Sequence, residues 1–198
     1  MIAEFAKKIN EMLTQKGIVQ KEDVEMYQYG IENGIVVAGN LLVSAIFGIV
    51  TGRLGLVLVF LLFYATLRSY SGGIHCKSRI GCFLMSMAIL LIPVCTYWIV
   101  IEVLTKPVIL MISILAVVVI IALSPVESIN KSLDMEEIKY YARVSYCITA
   151  LQVCVLAILY CKGWWDYFYA GYISFVLVAV FMIMGKIAIK HYADSGAG

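Results

Sequence analysis

Residues 82–104 read CFLMSMAILLIPVCTYWIVIEVL, and Glu102 is the only charged residue in this run. A bilayer with a hydrocarbon core about 30 Å thick is crossed by roughly 20 apolar residues in helical form. Lipid offers the backbone no hydrogen-bond partners, so a spanning segment must be a helix or part of a closed barrel. The run lacks the polar alternation of a barrel strand. It therefore predicts a transmembrane α-helix.

Five more apolar runs lie on either side of this stretch. They cover residues 31–50, 54–67, 108–123, 144–160 and 167–184. Several are shorter than roughly 20 residues, and run 54–67 is the weakest, so a re-entrant or strongly tilted pair is also compatible with the pattern. We predict an all-α, polytopic integral membrane protein with about six transmembrane helices, organised as a single membrane domain over residues 1–198.

The overall composition excludes an ordinary soluble domain. Hydrophobic residues make up 63% of the chain and charged residues 14%, with a mean hydropathy of +0.95. A typical soluble domain carries about 25% charged residues. The formal net charge of +2 gives no basis for a nucleic-acid partner. The partner that the composition predicts is the lipid bilayer itself.

The first 28 residues have a different pattern, that of a helix lying on a membrane surface. One helical face carries Ile2, Phe5, Ile9, Met12 and Leu13, and the other carries Glu4, Lys7, Lys8 and Glu11. Gly17 is predicted to end this interfacial helix. Because no apolar core and cleavage site follow the lysines, no secretory signal is indicated. Residues 1–28 are therefore predicted to be a cytosolic amphipathic segment.

The positive charges are distributed unevenly between the two sides of a six-span arrangement. Of the 15 Lys and Arg residues, all except Arg53, Lys106 and Lys162 fall on the side that holds both termini. An excess of Lys and Arg marks the cytosolic side. The prediction is a multi-pass protein with both termini in the cytosol, together with the polar connections at residues 68–81 and 124–143.

The first of these connections reads RSYSGGIHCKSRIG and is followed directly by Cys82. A thiol attacks a carbonyl group as a thiolate, so a nucleophilic cysteine needs an imidazole to take its proton and cationic surroundings that favour the anion. His75 and the nearby cations supply both requirements. Cys82 opens a predicted span, where the N-terminal end of a helix favours a thiolate. These features make residues 68–81 the candidate catalytic segment.

The spacing of His75 and Cys82 limits how these two residues could form a catalytic pair. In one continuous helix their positions would be about 10 Å apart along the axis, beyond hydrogen-bond reach. The chain must therefore bend between them, and Ser78 and Gly81 are suitable positions. The pair Gly72-Gly73 would let backbone N–H groups approach a developing oxyanion.

Other interpretations of the same residues remain open on spacing alone. His75 in an interfacial loop and Cys82 as a small packing residue would be the commoner fate of such a pair. Cys76 competes with Cys82 as the nucleophile. A metal site at these residues lacks a fourth evident ligand and paired CxxC spacing, so no metal is predicted. Nothing in the sequence requires an organic cofactor.

The connection resembles the signature of the accessory gene regulator B (AgrB) family. The residues that carry the resemblance are Arg68, Gly72, Gly73, His75 and Cys82, in the same order and with the same seven-residue step from His to Cys. The later residues Ser124, Pro125, Val126, Glu127, Asn130 and Lys131 are similar to the cytosolic loop of that family. The chain departs from the family pattern at Cys76, where a small residue is usual, and at Ser132, where proline is common.

The resemblance implies a cysteine endopeptidase of the bacterial cell membrane that matures a quorum-sensing propeptide of the AgrD type. His75 would deprotonate Cys82, and the thiolate would cleave the C-terminal tail from the signal core through an acyl-enzyme thioester. A thiol or hydroxyl group of the core would then close a thiolactone or lactone ring. Arg68 would support the active site or the oxyanion. The resemblance and the glycine-bearing first span also predict a homodimer.

The acidic tail of such a propeptide would meet a basic surface. Candidates are Lys77, Arg79, Lys131, Lys139 and Arg143, although positive-inside topology alone explains most of them. A carboxylate of the second connection would orient His75, and the sequence does not choose among Glu127, Asp134, Glu136 and Glu137.

The competing class of function is a small membrane transporter or a non-catalytic membrane scaffold. A transporter would carry ionisable residues in the middle of several spans. In this chain the polarity concentrates at one cytosolic membrane edge, which favours the enzyme.

Overall fold

The structure, a computed structural model, describes residues 2–20, 23–73, 79–127 and 134–194. These residues form seven helices: α1 Ile2–Gln15, α2 Val24–Val50, α3 Leu54–Ser71, α4 Arg79–Val103, α5 Lys106–Leu123, α6 Met135–Lys162 and α7 Trp165–Asp194. Helices α2 to α7 are each long and apolar enough to cross a membrane. The predicted all-α fold with six transmembrane helices is therefore confirmed.

Helix α1 is the predicted amphipathic helix. It ends at Gln15, and Gly17 follows in the left-handed region with φ of 70°. Phe5 and Met12 on its apolar face are exposed, as expected for side chains that enter a membrane surface. On its other side Asn10 is buried, and its amide donates to the carbonyl oxygen of Val24 at 2.7 Å. This contact lies within the first of two compact units, residues 1–47.

Residues 48–198 form the second compact unit, in which α7 is the central helix. It packs against α3, α5 and α6, and Phe175, Val178 and Met182 on it are fully buried. A Cβ added at Gly171 would lie 2.7 Å from the Leu156 side chain and 3.0 Å from the Phe63 ring. Small residues allow this close approach of helices in membranes. Helix α7 therefore forms the core of the bundle.

Polar side chains inside the bundle bond across helix boundaries. The Gln152 amide on α6 donates to the carbonyl oxygen of Phe63 at 3.1 Å and to the Thr66 hydroxyl at 2.8 Å. The Ser174 hydroxyl on α7 donates to the carbonyl oxygen of Phe60 at 3.2 Å. Such bonds fix the positions of neighbouring helices along each other's axes, because no water competes for the polar groups. They fix α3 against α6 and α7.

Several helices extend beyond the apolar runs that predicted them. Helix α3 continues to Ser71 and α4 begins at Arg79, so the predicted connection 68–81 is partly helical. Helix α6 begins at Met135, nine residues before the apolar run 144–160. The reason is a capping box, in which the Asp134 carboxylate accepts from backbone N–H groups and Glu137 accepts from the Asp134 N–H. Such a cap stabilises a helix start that hydropathy does not reveal.

Candidate active site

The C-terminal end of α3 contacts the segment that follows α5. The N–H of Val126 donates to the carbonyl oxygen of Ser71 at 2.8 Å. The N–H of Gly73 donates to the carbonyl oxygen of Val126 at 3.3 Å. Together they form an isolated parallel bridge between Gly72 and Val126. We call residues 71–73 and 124–126 the glycine junction. It brings together both segments on which the family resemblance was based.

Both glycines are required by the geometry of the junction. Gly72 has φ of 77°, and a Cβ there would overlap the carbonyl oxygen of Val126. Gly73 has φ of 119°, and a Cβ there would lie 2.9 Å from the carbonyl oxygen of Phe181 on α7. Residues with a side chain rarely adopt such φ values. The two glycines therefore let the backbone of residues 72–73 approach the backbones of Val126 and Phe181.

This geometry bears on the predicted use of the glycines. The N–H of Gly73 already donates to Val126, so in this arrangement it holds the junction together. The oxyanion role of Gly72 and Gly73 stays a prediction. The structure adds a positioning role that their sequence pattern did not indicate.

Arg68 lies in the last turn of α3, beside the glycines. Its guanidinium donates to the carbonyl oxygen of Gly72, and the side chain is half-buried. The Nη1 atom would lie 3.2 Å from a Cβ at Gly73. An arginine offers several donors in a planar, rigid group. Arg68 therefore holds the turn that leads out of α3.

Helix α6 supports the junction from a second side. The hydroxyl groups of Ser71 and Ser145 lie 3.0 Å apart, and both residues are fully buried. The rings of Tyr70 and Tyr141 contact each other with centroids 6.1 Å apart. Ser124 is buried as well, and the peptide bond between it and Pro125 is cis. Contacts from α3, α6 and α7 thus hold the backbone segments of the glycine junction.

The predicted nucleophile lies near the N-terminal end of α4. Cys82 is in the first turn of the helix, which begins at Arg79. Partial positive charge at this end favours an anionic sulfur. His75, the competing Cys76 and Lys77 lie outside the described residues. The structure thus describes what flanks the candidate catalytic segment, with Gly73 on one side and the start of α4 on the other.

The predicted basic set is only partly described. Lys139 and Arg143 are exposed and lie one turn apart on α6, where residues four apart share a face. Arg79 starts α4, and Lys131 lies outside the described residues. Lys139 and Arg143 therefore form an accessible cationic face on the helix that also supports the junction.

The four acidic candidates occupy different environments. Asp134 and Glu137 are engaged in the capping box of α6. Glu136 is exposed in the first turn of that helix, whereas Glu127 is half-buried and directly follows Val126. Among the four, Glu127 is the carboxylate adjoining the junction.

Sequence reasoning did not find two of the supports. Phe181 contributes through its backbone carbonyl group, which every residue has, so its residue type gives no signal. Ser145 belongs to a polar series with Thr149 and Gln152 at helical spacing on α6, and all three are buried. That spacing was the available signal, since polar residues repeated on one face of a span indicate a helix contact.

The six spans and the polar junction at one end of α3 define a polytopic helical membrane protein with a candidate site at one membrane edge. The model of the accessory gene regulator B (AgrB) family matches residues 6–185. The chain therefore belongs to the AgrB family, which implies a role in the accessory gene regulator quorum-sensing system and an AgrD-type propeptide as partner. No curated protein and no solved structure matches the chain.

Proposed function

We propose that this protein is a membrane cysteine endopeptidase that removes the C-terminal tail of an AgrD-type propeptide and cyclises the remaining signal peptide. His75 takes the thiol proton of Cys82, and the thiolate attacks the carbonyl carbon of the peptide bond that joins signal core and tail. As that C–N bond breaks, the imidazolium gives its proton to the leaving amine. The tail departs with a free amino group, and the core remains bound as a thioester.

The thioester then provides the acyl group for ring closure. A thiol or hydroxyl of the core attacks the thioester carbonyl and gives its proton to His75. The bond to sulfur breaks, the product leaves as a thiolactone or lactone, and the proton returns to Cys82. Water would hydrolyse the same thioester, so exclusion of water favours the ring.

The observation that supports this proposal is the glycine junction. Arg68, Gly72 and Gly73 come from one family-like segment, and Val126 comes from the other. Their hydrogen bonds place both segments at one end of α3. A transporter or scaffold gives no reason for such a backbone junction next in sequence to the segment that contains His75 and Cys82. An enzyme does, because catalytic groups must be held to within a fraction of an ångström.

The described surfaces suit such a propeptide. Helix α1 would lie on the cytosolic membrane surface near an amphipathic leader, and Lys139 and Arg143 would receive the acidic tail. Glu127 is the carboxylate that we assign to support of the site, because it adjoins Val126 while Asp134 and Glu137 cap α6. Cytosolic orientation of both termini and homodimerisation complete the proposal.

The test is cleavage of a cognate propeptide by protein reconstituted in vesicles, with release of the tail followed by mass spectrometry. Cys82→Ala and His75→Ala are expected to abolish release, and Cys76→Ala to retain it. Cys147→Ala, which removes an exposed thiol on α6, is the matched control. Glu127→Gln is expected to slow release more than Glu136→Gln. Cleavage by Cys82→Ala would exclude this nucleophile, and dependence on Cys76 would move the assignment there.

A further inference from the structure

A second polar cluster lies at the opposite end of α3 from the glycine junction. Arg53, in the turn before α3, lies over the Tyr97 ring of α4, with its guanidinium carbon 4.0 Å from the ring centroid. The Tyr97 hydroxyl donates to the carboxylate of Asp166 at the start of α7. Behind them the hydroxyl groups of Tyr169 and Thr96 lie 2.7 Å apart. Helices α4 and α7 and the turn before α3 thus converge on Arg53 and Asp166.

A cavity of about 330 Å³ opens between the turn that holds Arg53, the start of α3 and the start of α7. Its lining includes Thr51, Arg53, Gly55, Asp166 and Tyr167. A Cβ at Gly55 would lie 3.0 Å from the Tyr167 ring, so the absence of a side chain there lets the ring close one wall. The volume is within the range of small-ligand pockets, roughly 300–1,000 Å³. The cavity is therefore large enough for a polar group of several atoms.

The cavity is lined by one positive and one negative side chain, Arg53 and Asp166. Among the described residues Arg53 makes no ion pair, and its guanidinium group, which carries five N–H donors, lies over the Tyr97 ring. Asp166 is exposed, and its carboxylate is oriented by the Tyr97 hydroxyl. A ligand that complements both residues carries an anionic group and a cationic group a short distance apart.

The surroundings of the cavity are those of a membrane interface. Trp98 is 60% exposed and its ring also contacts the Arg53 guanidinium, with 5.1 Å from the guanidinium carbon to the ring centroid. Val50 is 78% exposed and Ile99 62%. Tryptophan is favoured at headgroup level, and exposed aliphatic residues face acyl chains. A molecule bound here would have its polar group in the cavity and apolar tails beside Val50 and α4.

We propose that this cavity binds the headgroup of a phosphatidylethanolamine-type lipid, with its phosphate on Arg53 and its ammonium on Asp166. An ethanolamine headgroup supplies both charges and N–H donors for the carboxylate. A glycerol headgroup offers Asp166 only neutral hydroxyl donors without a positive charge, and a choline headgroup has the charge but no N–H to donate. The cavity is therefore selective for ethanolamine, and it lies away from the proposed active site.

The test is native mass spectrometry of the full chain in detergent, titrated with dioleoyl lipids that carry ethanolamine, glycerol or choline headgroups. Ethanolamine lipid is expected to bind about tenfold more tightly than the other two, since one charge-assisted hydrogen bond has an effect of that size. Arg53→Gln is expected to weaken its binding by about tenfold or more. Asp166→Asn is expected to remove the preference for ethanolamine over glycerol and to retain glycerol lipid.

Lys162→Gln is the matched control, since it removes one positive charge at the end of α6 without touching the cavity lining. It is expected to bind all three lipids like the unmodified protein. The ratio of the affinities for two lipids is measured on the same folded sample. A lower yield of folded Asp166→Asn protein therefore does not produce an apparent loss of lipid preference. Equal binding of the three lipids, or an equal effect of Lys162→Gln and Arg53→Gln, would overturn the proposal. Glycerophosphoethanolamine that displaces the lipid at similar concentration would show a soluble ligand instead and overturn the lipid assignment.

Discussion

The two ends of α3 are held by different kinds of contact. At the C-terminal end, Gly72 and Gly73 dock backbone against backbone, with a bridge to Val126 and close approach to Phe181. At the N-terminal end, Arg53 lies over the Tyr97 ring, and the hydroxyl of Tyr97 donates to the Asp166 carboxylate. Backbone docking tolerates almost no added atom, whereas side-chain contacts permit graded substitution. The end that we propose to be catalytic is thus the more sensitive one.

The largest effect is expected from Gly72→Ala. The new Cβ would overlap the carbonyl oxygen of Val126, and alanine is strained at φ of 77°. Propeptide cleavage should be lost, with a lower melting temperature measured in detergent. Gly39→Ala is the control, because a Cβ at this position in α2 meets nothing within 4 Å. Unchanged cleavage by Gly72→Ala would show that the junction is not needed for the reaction.

A smaller effect, on stability alone, is expected from Tyr97→Phe at the other end. The change removes the hydroxyl that donates to Asp166 and keeps the ring beneath Arg53. Loss of a hydrogen bond to a charged group costs about 1.5–3 kcal/mol, and the exposure of Asp166 to water lowers that figure. The melting temperature should fall while cleavage of the propeptide per folded molecule stays the same. A fall in that cleavage rate would contradict the separation of the two ends.

The smallest effect is expected from the buried hydroxyl pair beneath the junction. Ser71→Ala or Ser145→Ala removes one partner of the 3.0 Å contact. Hydrogen bonds between membrane helices contribute on average about 0.6 kcal/mol in double-mutant cycles. A cycle of the two single variants and the double variant, measured by unfolding in mixed detergent, should give a coupling of that order. Zero coupling would mean that packing alone joins α3 to α6 at this point.

The sequence was sufficient for the fold because its signal is local. Each span is a run such as 82–104, and lipid requires the backbone bonds of such a run to be made within it. Helix ends were predicted less well, since α6 starts at Met135 through a cap made by Asp134 and Glu137, within polar residues. Hydropathy alone marks the apolar run 144–160 and gives no signal for this helix start.

The candidate site was predicted in its segments but not in its contacts. The motif identified Arg68, Gly72 and Gly73, yet pairing between residues 72 and 126 follows no periodicity in sequence. Tyr97 was missed for a related reason. An aromatic residue within an apolar run is typical of any span, and the partner of its hydroxyl, Asp166, lies 69 positions later. Long-range contacts of this kind need the folded chain.

The bridge between Gly72 and Val126 also sets an order for biosynthesis. A nascent chain that has completed only α1 to α4 already contains Cys82, but the residues that clamp the end of α3 have not yet been made. Val126 follows α5, Ser145 lies within α6, and Phe181 lies in the second half of α7. The clamp therefore assembles only when the last helix has entered the bilayer, so a partly translated chain carries the thiol without its supporting framework.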